Sequence, residues 1–249
     1  MIIEADLHTH TIASGHAYST ITENARAAHK KGLKMIAVTD HGPAMPGAPH
    51  IYYFKNIMVL PRVIEGVGIL RGCEANIINT NGDLDMPESI LDRLDIVLAG
   101  FHKKVFPDNL TAAENTKAMI NAMKNPRLDM IVHPGNPLFP VNIGDIVEAC
   151  VKYGKIIEIN NSSLTMTRIG SNKSCRLLAK YLAEAKFNVM LGSDAHFSTF
   201  VGELSEAIHL AQEAGLQDWQ ILNTSTERIC RYLNLDVNLY QDGDGSNVE

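Results

Sequence analysis

Along the chain, short apolar runs alternate with segments whose apolar residues recur every three or four positions, the periods of strand and helix. Ile2–Ala5 predicts a first strand. Ile21–Lys31 predicts a helix, with Thr22 as N-cap and Gly32 as its stop. Lys34–Thr39, Gly68–Cys73 and Ile96–Gly100 predict the second, third and fourth strands. A helix over Ala112–Lys124 is ended by Asn125-Pro126, and Asp129–Val132 predicts the fifth strand. Helix Ile143–Tyr153 is closed by Gly154, and the sixth strand spans Ile156–Ile159. Helix Ser174–Lys186, strand Asn188–Gly192 and helix Glu203–Ala214 complete the series.

Repeated strand–helix alternation implies parallel strands joined by crossover helices. Seven strands predict an α/β fold, a distorted (β/α)7 TIM-like barrel, with an open doubly wound sheet as the alternative. Residues 1–240 are expected to form a single domain, and the polar tail 241–249 to fray. The stretch Gly42–Tyr53, with three prolines, predicts a long loop over the barrel end, placed to act as a lid.

Composition narrows the field. At 249 residues, 45% hydrophobic and 20% charged, the chain can bury a full core. A net charge of -6 argues against a surface for nucleic-acid backbones, which needs clustered Lys and Arg. Four widely spaced cysteines, Cys73, Cys150, Cys175 and Cys230, form no CxxC pair and are expected to be reduced thiols. No apolar run approaches the roughly 20 residues that span a bilayer, and the chain opens without a basic signal-peptide start. A cytoplasmic protein without membrane contact is expected.

The histidines carry the chemistry. The first strand runs into Asp6-Leu7-His8-Thr9-His10, where residues two apart are expected to share a face, and His16 follows in the next loop. Further strands end at His41, Glu74, His102 and His133, and the last at Asp194-Ala195-His196. In a parallel barrel all these ends lie on one face, where such enzymes keep their active sites. Any one histidine is more often a packing or surface residue than a ligand; His29, His50 and His209 are read that way. Seven imidazoles converging with Glu74 and Asp194 are another matter. Protonated, they repel each other; neutral and buried, they need partners. Divalent metal compensates, and mixed imidazole–carboxylate ligands suit zinc, manganese, iron or cobalt. Nine candidates exceed one tetrahedral ion and fit two or three, with Glu74 as candidate bridge.

His8-Thr9-His10, Thr39-Asp40-His41, Glu74, His102, His133-Pro134 and Asp194-Ala195-His196 resemble the motif set of the PHP (polymerase and histidinol phosphatase) superfamily. Along its whole length the chain is similar to the stand-alone YcdX-like bacterial phosphatases. The resemblance implies a single PHP domain over 1–240 with three ions per chain, usually zinc. By that resemblance His8, His10, Glu74 and Asp194 hold one ion, His16, His41 and His196 a second, and Glu74, His102 and His133 a third. It implies catalysis through the metal by Glu74 and Asp194, and it makes a homo-oligomer, a homotrimer, an open expectation.

The expected reaction is release of phosphate from a small phosphomonoester by attack of a metal-bound hydroxide. Asp6 or Asp40 is a candidate to orient a ligand imidazole, with loop capping the plain alternative for Asp40. Arg168, Asn161 and Lys103 are candidate substrate residues, because their loops leave the same barrel end. A phosphodiesterase or nuclease, another metal-dependent hydrolase such as a lactonase, and a non-enzymatic metal store are the competing functions.

Overall fold

A computed structural model describes residues 1–241; apart from Gln241, the expected frayed tail lies outside the described residues. Among the described residues eight strands form: β1 (Ala5–Thr9), β2 (Met35–Val38), β3 (Val63–Ile64), β4 (Val67–Asn76), β5 (Ile96–Gly100), β6 (Met130–Ile131), β7 (Ile156–Asn160) and β8 (Val189–Gly192). Seven pair in parallel in the order β1-β2-β4-β5-β6-β7-β8. Helices pack outside them: α1 (Ile21–Lys30), α2 (Ile51–Asn56), α3 (Glu88–Leu91), α4 (Ala112–Met123), α5 (Ile143–Tyr153), α6 (Ser162–Thr165), α7 (Asn172–Ala185), α8 (Ser205–Glu213) and α9 (Thr226–Tyr232). The result is the expected distorted, nearly closed barrel of seven parallel strands; the open sheet is ruled out by contacts between β8 and β1. His10 N donates to Ala195 O at 2.9 Å, and Thr9 bridges Ala195 in parallel.

Toward the amino-terminal end the β1–β8 seam is spanned by Asn223, which is fully buried. Its amide donates to Ala5 O (3.0 Å) and Leu191 O (2.8 Å) and accepts from Leu191 N (3.2 Å). Its own carbonyl accepts from Glu4 N at 2.9 Å. One side chain thus supplies the pairing a strand would otherwise provide.

Inside the barrel Leu7, Met35, Leu70, Leu98, Met130 and Met190 pack together, and Ile229, Cys230 and Tyr240 plug the amino-terminal end. Between strands and helices lies the larger apolar layer, with Met119, Met123, Ile131, Ile146, Ile157 and Leu178. All four cysteines are free and buried. No helix among the described residues is long and apolar enough to cross a membrane.

Several local expectations are corrected. The cap of α1 is Thr20, not Thr22: Thr20 and Glu23 form a capping box, which outcompetes a lone threonine inside the first turn. β1 starts at Ala5, past the predicted Ile2–Ala5, and β4 runs on to Asn76 because partners on both sides continue it. β3 is an unpredicted two-residue antiparallel partner of β4, joined by Glu65-Gly66 at φ 54 and 73°. The Gly42–Tyr53 stretch is not loop throughout, since α2 begins at Ile51 with the His50 ring accepting from Tyr52 N at 3.2 Å.

Candidate metal centre

The carboxyl ends of the strands and the residues just after them bring eight of the nine candidate ligands together. Glu74, on β4 and with no exposed surface, is the hub. Its Oε1 lies 2.6 Å from His133 Nε2 and 3.0 Å from His102 Nε2. Its Oε2 lies 2.8 Å from His41 Nδ1 and 3.5 Å from the Nε2 atoms of His8 and His10. Asp194 Oδ1 forms a second focus, 3.3 Å from His10 Nε2, 3.5 Å from His196 Nδ1 and 3.6 Å from His8 Nε2. Four tight ligand groups result: His8/His10/Asp194, His10/His41/His196, His8/Glu74/His133 and His41/Glu74/His102. His16 belongs to none of these four; it stands half-buried at the rim, its ring stacked on that of His41 at 4.9 Å and tilted against that of His196 at the same distance.

Five imidazoles cannot all hydrogen-bond one carboxylate, and the misfit is visible. Seven buried atoms of the cluster lack an aligned partner: His8 Nε2, His10 Nε2, both ring nitrogens of His41, Glu74 Oε2, His102 Nδ1 and Asp194 Oδ1. Buried polar atoms left this way are costly, and a cation is the species that satisfies lone pairs on nitrogen and oxygen together. The protonation pattern agrees. Burial and the neighbouring His196 and His41 hold His10 well below the ordinary imidazole range; burial, then Arg168, pushes His133 down to about 3. Burial opposes ionisation of Glu74, but His102, His41 and His8 outweigh it and hold its carboxyl well below the usual range. For Asp194 the Arg168 guanidinium leads the same reversal. His8 moves the other way from His10 and His133: burial is outweighed by Glu158, Glu74 and Asp194, which push it well above the ordinary imidazole range.

The backbone concentrates strain here. Among the described non-glycine residues with left-handed φ are His133 (36°), Arg168 (47°) and Asp194 (56°), each costing about 1–2 kcal/mol. A packed barrel holds them there.

Glu158, read from the sequence only as part of a strand, supports the cluster from behind. It is fully buried on β7, and its Oε1 lies 2.7 Å from His8 Nδ1. Its Oε2 accepts from His133 N (2.8 Å) and from the Asn160 amide (3.1 Å). Asp6 does not orient an imidazole. β1 bulges between Asp6 and Thr9, so Asp6 no longer shares a face with His8 and His10. Its carboxylate turns away, accepting from Gly202 N at 2.8 Å and Ser193 N at 3.3 Å. Asp40 caps the loop, accepting from Thr11 N and from the Ser14 hydroxyl (2.7 Å each); it touches no imidazole itself, and only Ser14 Oγ stands between it and His10 Nδ1, 3.2 Å away.

A cavity of 840 Å³ opens from the cluster, and Arg168, Asn161 and Lys103 all line it, beside Met45 of the proline-rich loop. Arg168 Nη1 donates to Asp194 Oδ2 at 2.8 Å, which leaves its Nε and Nη2 to face other groups. Asn161 is committed to the scaffold, its Oδ1 accepting from Ala207 N at 2.9 Å. Lys103 is exposed. His29 and His209 stand apart from the cluster, and His50 is a helix cap.

The chain matches the family described as PHP domain over residues 6–218. It is 53% identical over 228 residues, 92% of this chain and 90% of the relative, to a protein of Caldanaerobacter subterraneus subsp. tengcongensis named probable phosphatase. A probable phosphatase of Shewanella piezotolerans is 45% identical over 92% of each chain. Among solved structures, the histidinol phosphate phosphatase of Lactococcus lactis, complexed with zinc, L-histidinol and phosphate, superposes with a TM-score of 0.61 at 19% identity, covering 87% of this chain and 95% of that one. A second solved structure, from Listeria monocytogenes, does so with a TM-score of 0.57 at 15% identity, over 82% and 99%. Matched across most of its length and sharing about half its residues with full-length relatives, the chain belongs to the PHP domain family.

Proposed function

We propose that the protein is a metal-dependent phosphatase that releases phosphate from a small phosphomonoester at a three-ion centre. The observation that carries the reading is Glu74: one buried carboxylate with five imidazoles within 3.5 Å and orphaned nitrogen and oxygen lone pairs around it. Relatives named probable phosphatase support the phosphatase assignment, and the zinc of the Lactococcus lactis enzyme supports zinc as the first metal to test.

His8, His10, Glu74 and Asp194 would hold one ion, His16, His41 and His196 a second, and Glu74, His102 and His133 a third. When bound, such ions bring the pKa of water toward neutrality and offset the charge on phosphate oxygens. Glu74, kept ionised by its imidazoles, contributes to two of these sets. Glu158 fixes the ring of His8, and Arg168 holds Asp194 from the side facing the cavity. The unused donors of Arg168, and Lys103 at the mouth, are positioned to bind the phosphate. In the net reaction a water oxygen bonds to phosphorus, the ester P–O bond breaks, and the leaving alkoxide takes a proton. No second copy is needed for this set of ligands, which all come from one chain.

Elemental analysis of untagged protein, run beside phosphate release from a panel of monoesters, tests the proposal. The expected result is two to three ions per chain and turnover abolished by chelation. Full metal with cleavage of diesters alone would move the assignment to a phosphodiesterase. Less than about one ion per chain after soaking in zinc or manganese would end it.

A further inference from the structure

Six of the fifteen large apolar side chains that stay exposed among the described residues line one cavity, the one that opens from the ligand cluster. They are Tyr18, Leu138, Met166, Ile169, Phe197 and Phe200, with Ile169 93% exposed and Met166 62%. Apolar surface concentrated in this way marks a binding surface. At 840 Å³ the cavity far exceeds what a phosphate group fills and lies within the range of small-molecule sites.

Several polar atoms of the same wall are engaged with the protein itself. Asn161 Oδ1 accepts from Ala207 N, and the Thr165 hydroxyl donates to Asn161 O at 3.1 Å. The hydroxyls of Ser162 and Thr167 bond each other at 2.9 Å, and Asn136 Oδ1 accepts from Leu138 N at 3.1 Å. A sugar or polyol would bring several hydroxyls to a wall where the hydroxyls of Ser162, Thr165 and Thr167 and the Oδ1 atoms of Asn136 and Asn161 are engaged and few donors beyond the two Asn Nδ2 groups remain, and each unmatched hydroxyl is costly to bury. An apolar group meets free apolar surface instead.

Resting on the phosphatase reading, we propose that this cavity takes the organic part of the ester, and that the substrates are monophosphates of apolar alcohols, arylalkyl or branched alkyl, in preference to phosphorylated sugars or polyols. Charge is handled at the cluster end by the ligand site, Arg168 and Lys103. The outer wall of Met166, Ile169 and Phe197 selects by apolar contact.

The test compares 2-phenylethyl phosphate with glycerol 1-phosphate on the metal-loaded enzyme. Both are primary alkyl monoesters, so the acidity of the leaving alcohol differs little. The expected kcat/KM is about tenfold or more in favour of the phenylethyl ester, carried mainly in KM, on the scale of a few buried methylene equivalents. The double variant Met166→Ser, Ile169→Ser, at two exposed positions, is expected to narrow that ratio at least about threefold. Calorimetry with 2-phenylethylphosphonate and 2-hydroxyethylphosphonate reads the same preference without turnover. Equal kcat/KM with equal phosphonate affinities, or a ratio the double variant leaves unchanged, overturns the proposal. If neither ester turns over, it is the phosphatase reading that fails, and the phosphonate pair alone decides the apolar preference.

Discussion

Glu158 touches no candidate ion position, yet two of its contacts fix cluster residues. His8 Nδ1 at 2.7 Å and His133 N at 2.8 Å each use a different carboxylate oxygen. Held so, His8 presents Nε2 to Glu74 and Asp194, and the strained backbone of His133 keeps its ring over Glu74. A carboxylate behind a ligand imidazole fixes its tautomer and raises its basicity. Glu158→Gln keeps the shape but turns one acceptor into a donor, so either a contact fails or His8 must take the tautomer that protonates Nε2, the nitrogen facing Glu74 and Asp194. Metal affinity is expected to fall by about 10- to 100-fold with the circular dichroism spectrum unchanged. A competitive chelator titration measures this, and wild-type affinity in the variant would remove Glu158 from the positioning role. This residue was not legible in the sequence. An acid inside an apolar strand carries no mark of its partner, whereas His8, His41, Glu74, His102, His133 and Asp194 stood out because each falls where a strand run ends.

Strand ends explain why the ligands converge, and glycines explain how closely. A Cβ at Gly192 on β8 would collide with Glu158 Oε1, and one at Gly100 on β5 would meet His133 Cε1. These two strands therefore give up a side chain to let a neighbour's carboxylate or imidazole lie flat across them. Gly192→Ala is expected to push Glu158 off His8. It should lower metal content per chain and phosphate release together, with a stability cost of about 1–3 kcal/mol from overpacking. Elemental analysis and thermal denaturation check both halves; a variant with full metal and lowered Tm alone would make Gly192 a packing residue only. The order and number of barrel strands were readable from hydrophobic period. The bulge in β1 was not, because it is created by pairing with β2, and it reversed the expected orientation of Asp6. β3 and the short helices α2, α3, α6 and α9 were missed because a few residues give too little periodicity to register. The two threonines at Thr20 and Thr22 could have been separated by the Glu three places after Thr20, since the capping box is a sequence pattern.

At the scale of the whole molecule the barrel has two unlike ends. The amino-terminal end is closed by Asn223, whose side-chain oxygen and nitrogen are both hydrogen-bonded, and plugged by Ile229, Cys230 and Tyr240. The carboxyl end gathers left-handed His133, Arg168 and Asp194 around a cluster with seven unpartnered buried atoms. Stability and function are thus divided along the barrel axis, and cations filling the cluster would relieve the end that is locally unfavourable. An ion that binds the folded chain at a free concentration of about 100 times its Kd adds about 2.7 kcal/mol per site. For a chain of this size each kcal/mol moves Tm by about 2–4 °C, so stripping even one site should lower Tm by roughly 5–10 °C. Scanning calorimetry of the chelated protein, followed by zinc readdition, measures it. The transition should stay single and cooperative, because the paired amino-terminal end and the layer between strands and helices do not depend on metal. A Tm unmoved by chelation, in protein shown to have lost its ions, would mean the cluster is satisfied without them, and the argument from its orphaned nitrogens and oxygens would fall.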